Sequence, residues 1–298
     1  MADLTKLQGC GPALITPFCE DKSLDLAALK KLVDFQLDNE VDFIVPCGTT
    51  GESATLTFQE HMQVVETTIQ QVNGRVPVIA GAGSNNTQHV IEMAQAVEAL
   101  GSDGVLSVVP YYNKPSQEGL YEHFKAIAES ISIPIVLYNI PGRTGINMSN
   151  DTVIRLAEID NIIAMKEATG NLAQMTDLAM RKPDDFILLS GDDANALALI
   201  ALGGKGLISV AANEMPKACT KFVHACLEGN FEKAIELQKQ IYPLMKDNFI
   251  DTNPVPVKAA LHMMGLIPGP YYRLPMVPMN EDKLVQFRKT LQQMGLVD

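Results

Sequence analysis

The feature that most constrains this chain is an eightfold alternation. Short apolar, β-branched runs ending in Gly, Pro or Asn are each followed by a stretch with helical periodicity. Strand-like runs fall at 11–17, 41–46, 77–80, 104–109, 134–138, 162–166, 186–190 and 206–210. Helices are expected over 25–39 and 87–100, and from near Thr57, Ser116, Ser149, Leu172, Ala194 and Met215. Runs apolar on both faces suit parallel strands covered by helices. Eight such units within 298 residues favour a closed (β/α)8 barrel, an α/β fold of the TIM type, over an open doubly wound sheet. An open nucleotide-binding sheet would want G-x-G-x-x-G after its first strand. The best candidate, Gly81-Ala-Gly83, follows the third run and lacks the third glycine. Residues 1–228 are therefore read as the barrel and 229–298 as a helical C-terminal extension, interrupted by Pro-rich stretches at 253–258 and 274–278.

Composition narrows the function. The net charge is −12, with no basic stripe to neutralise phosphates, so neither nucleic acid nor an anionic membrane surface is an expected partner. No apolar run is long enough to span a bilayer, and MADLTKLQG does not read as a secretory leader. Cys10, Cys19, Cys47, Cys219 and Cys226 are odd in number and show no C-x-x-C spacing, which points to free thiols in a reducing cytoplasm. The five histidines never fall at metal-ligand spacing, and no metal is expected.

In a barrel of this kind the chemistry lies at the carboxyl ends of the strands. Those ends carry Gly48-Thr49-Thr50-Gly51-Glu52, Tyr111-Tyr112, Tyr138 with Arg143, Lys166, Ser190-Gly191-Asp192-Asp193, and Ser209 with Asn213. Lys166 closes an apolar run, where desolvation would free its amine to attack a carbonyl. The pattern alone equally allows a strand-end lysine that snorkels to solvent. Tyr138 suits a proton relay or a space-filling role inside the barrel. The G-T-T-G turn could grip a small carboxylate or simply precede a helix. Arg143, after a Pro-Gly turn, could fork onto a carboxylate or sit solvated. Tyr111 and Tyr112 fit a site, an interface or a partly buried pair. Two aspartates in the seventh loop would repel phosphate where barrels usually hold it, which disfavours a sugar-phosphate substrate.

G-T-T-G-E, Y-N-I-P-G-R-T, K-E-A-T-G, S-G-D-D and N-P-V-P-V-K stand in this order along the chain. In that order and spacing the whole chain resembles the dihydrodipicolinate synthase family of pyruvate-dependent aldolases. The resemblance implies that pyruvate forms a Schiff base on Lys166 and, as an enamine, attacks aspartate semialdehyde. The cyclised product would lie on the route to diaminopimelate and lysine. It implies a relay of Thr49, Tyr138 and Tyr112, the last from a neighbouring subunit, with Thr50, Gly191 and the backbone at Ile208 holding pyruvate. Arg143 would take the carboxylate of the second substrate. It further implies a homotetramer built as a dimer of dimers, with no metal or organic cofactor. A lysine effector site would comprise Ser53, Ala54, His61, Asn85, His89 and Tyr111. There Phe58 replaces a frequent histidine and His89 a frequent glutamate. A sugar-acid aldolase would share Lys166 but have less use for Arg143. A barrel that only senses its ligand would be expected to have lost one of these positions, yet Lys166, Tyr138, Thr49 and Tyr112 are all present.

Overall fold

A computed structural model describes Leu4 and residues 7–298. Residues 1–3, 5 and 6, within the segment read above as no leader, lie outside the described residues. Seven parallel strands form one sheet: β1 (Gly9–Pro12), β2 (Ile79–Gly81), β3 (Gly104–Val108), β4 (Ile135–Asn139), β5 (Ile162–Glu167), β6 (Ile187–Ser190) and β7 (Gly206–Ser209). They run in the order β1-β7-β6-β5-β4-β3-β2.

The eighth expected strand, 41–46, is present only as single bridges, Ala13 to Val45 and Ile44 to Val78. Its backbone still closes the ring. Val45 N–H donates to the Pro12 carbonyl at 3.0 Å, Ile79 N–H to Ile44 at 3.0 Å and Gly81 N–H to Pro46 at 2.9 Å. Pro12, Pro46 and Pro77 have no N–H to donate, so the ladder around this segment cannot be continuous. The first strand also starts earlier than expected. It spans Gly9–Pro12 rather than 11–17, because the chain leaves the sheet after the Ala13 bridge.

Helices return the chain between strands. Those bearing on the site are α1 (Leu26–Asp38), α2 (Phe58–Val72), α3 (Thr87–Ala99), α4 (Gln117–Ser130), the single turn α5 (Pro141–Thr144), α6 (Asn150–Leu156), α7 (Leu172–Arg181), α8 (Ala196–Ala201) and α9 (Pro216–Leu227). Their starts are written locally. Thr57 and Glu60 make a reciprocal capping box on α2, and Ser116 and Ser149 cap α4 and α6. The extension forms α10 (Phe231–Asp247), α11 (Val255–Met263) and α12 (Glu281–Gln293).

Alternation along the strands divides the core. Val136 and Tyr138 of β4, Ala164 of β5, Ile187 and Leu189 of β6 and Ile208 of β7 fill the barrel interior, with Leu4 and Leu7 in the same cluster. Intervening residues such as Ile135, Leu137, Met165 and Leu188 pack outward under the helices. On one side Cys10 and Leu207 meet Ala234, Ile241 and Phe287, so the extension shares a core with the barrel. Among the described residues no helix is long and apolar enough to cross a membrane.

Candidate active site

Lys166 and Tyr138 are paired across the β5/β4 register, on the interior face at the carboxyl end of the sheet. Lys166 is 5% exposed, and its Nζ stands 4.2 Å from the centre of the Tyr138 ring. Burial strips water from the ammonium and drives its pKa down to about 7, with Asp193 opposing the shift and Arg143 adding to it. Much of the amine is therefore free near neutrality, and a snorkelling lysine does not describe this side chain. Tyr138 is 4% exposed. Burial raises its pKa, while a hydrogen bond with Thr49 and the charge of Arg143 counter that rise. A phenol hydrogen-bonded to a hydroxyl, with an amine over its ring, has the chemistry of a proton donor and acceptor beside the nucleophile.

The lysine stem is held from the side by the loop after β6. Gly191 N–H donates to the Glu167 carbonyl at 2.7 Å, and a Cβ at position 191 would lie 2.8 Å from Lys166 Cε. Only a glycine lets that backbone lie so close to the stem. Ile208 is buried on β7, in register with Gly11 of β1.

Thr50 is 2% exposed, and its Oγ1 accepts a hydrogen bond from Asn253 Nδ2 at 2.9 Å. Arg143 sits in α5, not in an irregular loop, and donates from Nη2 to the Asn253 carbonyl at 3.3 Å. One residue of the N-P-V-P-V-K segment thus touches both candidate substrate residues. That segment also sends Lys258 to Glu52, the last residue of G-T-T-G-E, in an ion pair of 2.5 Å whose side chains are 0% and 2% exposed. Sequence reasoning missed Asn253, Glu52 and Lys258 as parts of the site. The signal available was that both motifs stand in one ordered series.

The seventh loop departs from the usual phosphate-binding arrangement in a specific way. Val210 N–H donates to Asp193 Oδ2 at 3.0 Å, and the Ser209 hydroxyl donates to Asp193 Oδ1. Donors after the last two strands, which often cradle a phosphate, are here occupied by the protein's own carboxylate.

A cavity of about 440 Å³ opens beside these residues. Its wall includes Thr49, Arg143 and Asn253, and also Ser53, Ala54, His61, His89 and Tyr111. Asn85 is not part of that wall. Its carbonyl accepts from Asn113 Nδ2 at 2.8 Å. His61 Nε2 contacts the Gly81 carbonyl at 2.7 Å, and burial, with the charge of His89, holds its pKa below the usual value. Tyr112 is 87% exposed, at a positive φ of 73°. Cys10, Cys47, Cys219 and Cys226 are buried and Cys19 is half-buried, all as free thiols. Among the described residues no group of three or more His, Cys, Asp or Glu is placed to hold a metal ion.

The architecture and the sequence both have close counterparts. A relative from Koribacter versatilis, named 4-hydroxy-tetrahydrodipicolinate synthase, is 50% identical over 293 residues, covering 98% of this chain and 97% of its own. The crystal structure of dihydrodipicolinate synthase from Aquifex aeolicus superposes with a TM-score of 0.95 at 45% identity, over 97% of this chain and 99% of that one. The crystal structure of the enzyme from Cyanidioschyzon merolae with lysine bound matches with a TM-score of 0.94 at 41% identity, over 97% and 99% of the two chains. Residues 6–294 match the Dihydrodipicolinate synthetase family. The chain belongs to that family.

Proposed function

We propose that this chain is a Schiff-base lyase that condenses pyruvate with L-aspartate 4-semialdehyde to give 4-hydroxy-tetrahydrodipicolinate, in diaminopimelate and lysine biosynthesis. The observation that carries the reading is Lys166, a buried amine with a pKa near 7 facing a tyrosine that is hydrogen-bonded to Thr49. Family membership and the names of full-length relatives support the same reaction.

Lys166 Nζ attacks C2 of pyruvate, and the carbinolamine loses water to leave an iminium. Loss of a C3 proton gives the enamine, whose C3 attacks the aldehyde carbon of the semialdehyde. The semialdehyde's amino group then attacks C2, closing the ring and expelling Lys166 as the free amine. Tyr138 and Thr49 carry protons for these steps, and Tyr112 of a neighbouring subunit completes the relay. Thr50, Gly191 and the Ile208 backbone hold the pyruvate carboxylate, and Arg143 at the cavity wall receives that of the semialdehyde. The amine itself activates the carbonyl, so the reaction calls for no metal or organic cofactor. The enzyme works in the cytoplasm as a homotetramer, a dimer of dimers.

Borohydride reduction in the presence of pyruvate tests the reading. A reduced pyruvyl adduct on the Lys166 peptide by mass spectrometry is the expected result, and it should vanish in Lys166→Ala. An adduct that persists in that variant would overturn the assignment.

A further inference from the structure

Asp193 is 2% exposed; burial pushes its carboxyl pKa up, and hydrogen bonds from Ser209 and Val210 pull it back toward the ionised form. Its oxygens are engaged by the Ser209 hydroxyl and Val210 N–H at the end of β7. The loop it ends begins at Ser190, and Gly191 of that loop lies against the Lys166 stem. One short segment therefore touches the lysine at one end and is fastened to the neighbouring strand at the other.

The charged and titratable groups around this pair come from several elements. Asp192 faces Asp193 from its own loop. Glu214, beyond the 3-10 turn at Ala211–Asn213, and Cys219 of α9 also face it, as does Cys10 of β1. None of these is a cation. Lys166 of β5 is the cation in that field, with Tyr138 of β4 over it and Arg143 of α5 acting against its charge.

We propose that Asp193 is a positioning residue for Lys166: stapled to β7, it fixes the loop that sets the lysine stem and supplies a buried negative charge for the iminium. The inference rests on Lys166 being the Schiff-base lysine. When the carbinolamine takes up a proton and releases water, a fixed positive charge appears on nitrogen. Water is excluded there, so a buried anion lowers the energy of that cation relative to its neutral precursor. The same anion favours the ammonium of the free enzyme, so it also sets the pH at which the amine becomes available.

Asp193→Asn separates charge from staple. Its amide oxygen can accept from Val210 N–H and its NH2 can donate to Ser209 Oγ, so the loop stays fastened. Borohydride trapping of pyruvate and steady-state rates are measured from pH 5.5 to 9 for both proteins. Removing an anion favours the free amine, so the acid limb of trapping moves to lower pH by about one unit. The plateau kcat falls at least tenfold, because the iminium has lost its counter-charge. A limb that stays in place or moves up, with kcat within twofold, overturns the proposal. If Asp193→Asn does not fold, Ser209→Ala withdraws one donor from the carboxylate, which raises its pKa and leaves less of it charged at the acid limb. It is expected to shift the limb the same way by a smaller amount, and an unchanged profile there overturns the proposal equally. Failure of the parent protein to trap pyruvate sinks the Lys166 reading and this proposal together. Normal trapping with superimposable profiles sinks only this one.

Discussion

A lysine amine with a pKa near 7 makes two measurable demands at the level of the single residue. The reactive form is the free amine, whose fraction falls tenfold per unit below that value. Initial rates at limiting pyruvate should therefore climb through pH 6 to 7 and level off above about 7.5. A flat profile across that range would exclude Lys166 as the group that titrates. The second demand falls on stability. The folded pKa lies below the value of 10.5 expected for an exposed lysine, so the unfolded chain binds more protons between pH 7 and 10.5. Stability is lost as pH falls through that window, and at neutrality the buried lysine costs several kcal/mol. Lys166→Met keeps the stem volume without the charge, so it should abolish turnover and raise the thermal midpoint. Equal or lower stability for that variant would contradict the account. Arg143 makes a different demand. A guanidinium–carboxylate fork contributes about 1.5–3 kcal/mol, so Arg143→Ala should lower kcat/KM for the semialdehyde roughly tenfold to a hundredfold. Pyruvate trapping should change little, and parallel losses in both assays would assign Arg143 to the pyruvate end.

The elements explain why some of this was legible in the sequence and some was not. Strand periodicity is local, so Tyr138 and Lys166 could be placed at interior strand ends from their own runs, and caps such as Thr57 are local as well. Register is not local. That Tyr138 stands opposite Lys166 emerges only when β4 and β5 pair. The run at 41–46 reads as a strand because its composition is strand-like, yet prolines around it break the ladder to single bridges. Least visible were contacts between the helical extension and the loop after that segment. Asn253 reaches Thr50 across 203 residues and Lys258 reaches Glu52 across 206, and no window of sequence spans such distances. The Glu52–Lys258 pair carries a consequence of its own. Removing one partner of a buried ion pair strands the other charge and costs about 3–5 kcal/mol, whereas removing both can be nearly neutral. Lys258→Met should thus lower stability by that order in urea unfolding, and adding Glu52→Gln should recover much of the loss. A double variant no more stable than Lys258→Met alone would show that the cost is packing against Phe18 and Tyr272, over whose rings the ammonium lies.

At the scale of the whole molecule, two features look beyond one barrel. Tyr112 is 87% exposed on a loop at the mouth, an unusual place for a relay group acting within its own chain. Mixed oligomers of inactive Tyr112→Phe and Lys166→Ala chains should regain activity if each site borrows the tyrosine, and verified hybrids without activity would mean that one chain builds each site. The second feature is the cavity of about 440 Å³ that continues from Arg143 past Ser53, Ala54, His61, His89 and Tyr111. If this wall receives the lysine effector that the sequence resemblance implies, its charges set the affinity. The charges of this wall argue against tight binding. Lysine brings ammonium groups that need an anionic or strongly accepting partner once buried. Glu52 is the acidic residue in the wall, and Lys258 already holds it at 2.5 Å. His89, at the position where the resemblance expects glutamate, brings no negative charge to an ammonium. Glu92, one helical turn onward, is not in the wall and is bound by Gln88 Nε2 at 3.2 Å. Losing one charge-assisted contact of about 1.5–3 kcal/mol weakens binding roughly tenfold to a hundredfold. Activity titrated against lysine at subsaturating pyruvate should therefore fall only at millimolar concentrations or above. His89→Glu should move the midpoint down by a similar factor, because it places a free carboxylate in the same wall. Strong inhibition of the parent protein by submillimolar lysine would mean that the ammonium finds a partner other than position 89.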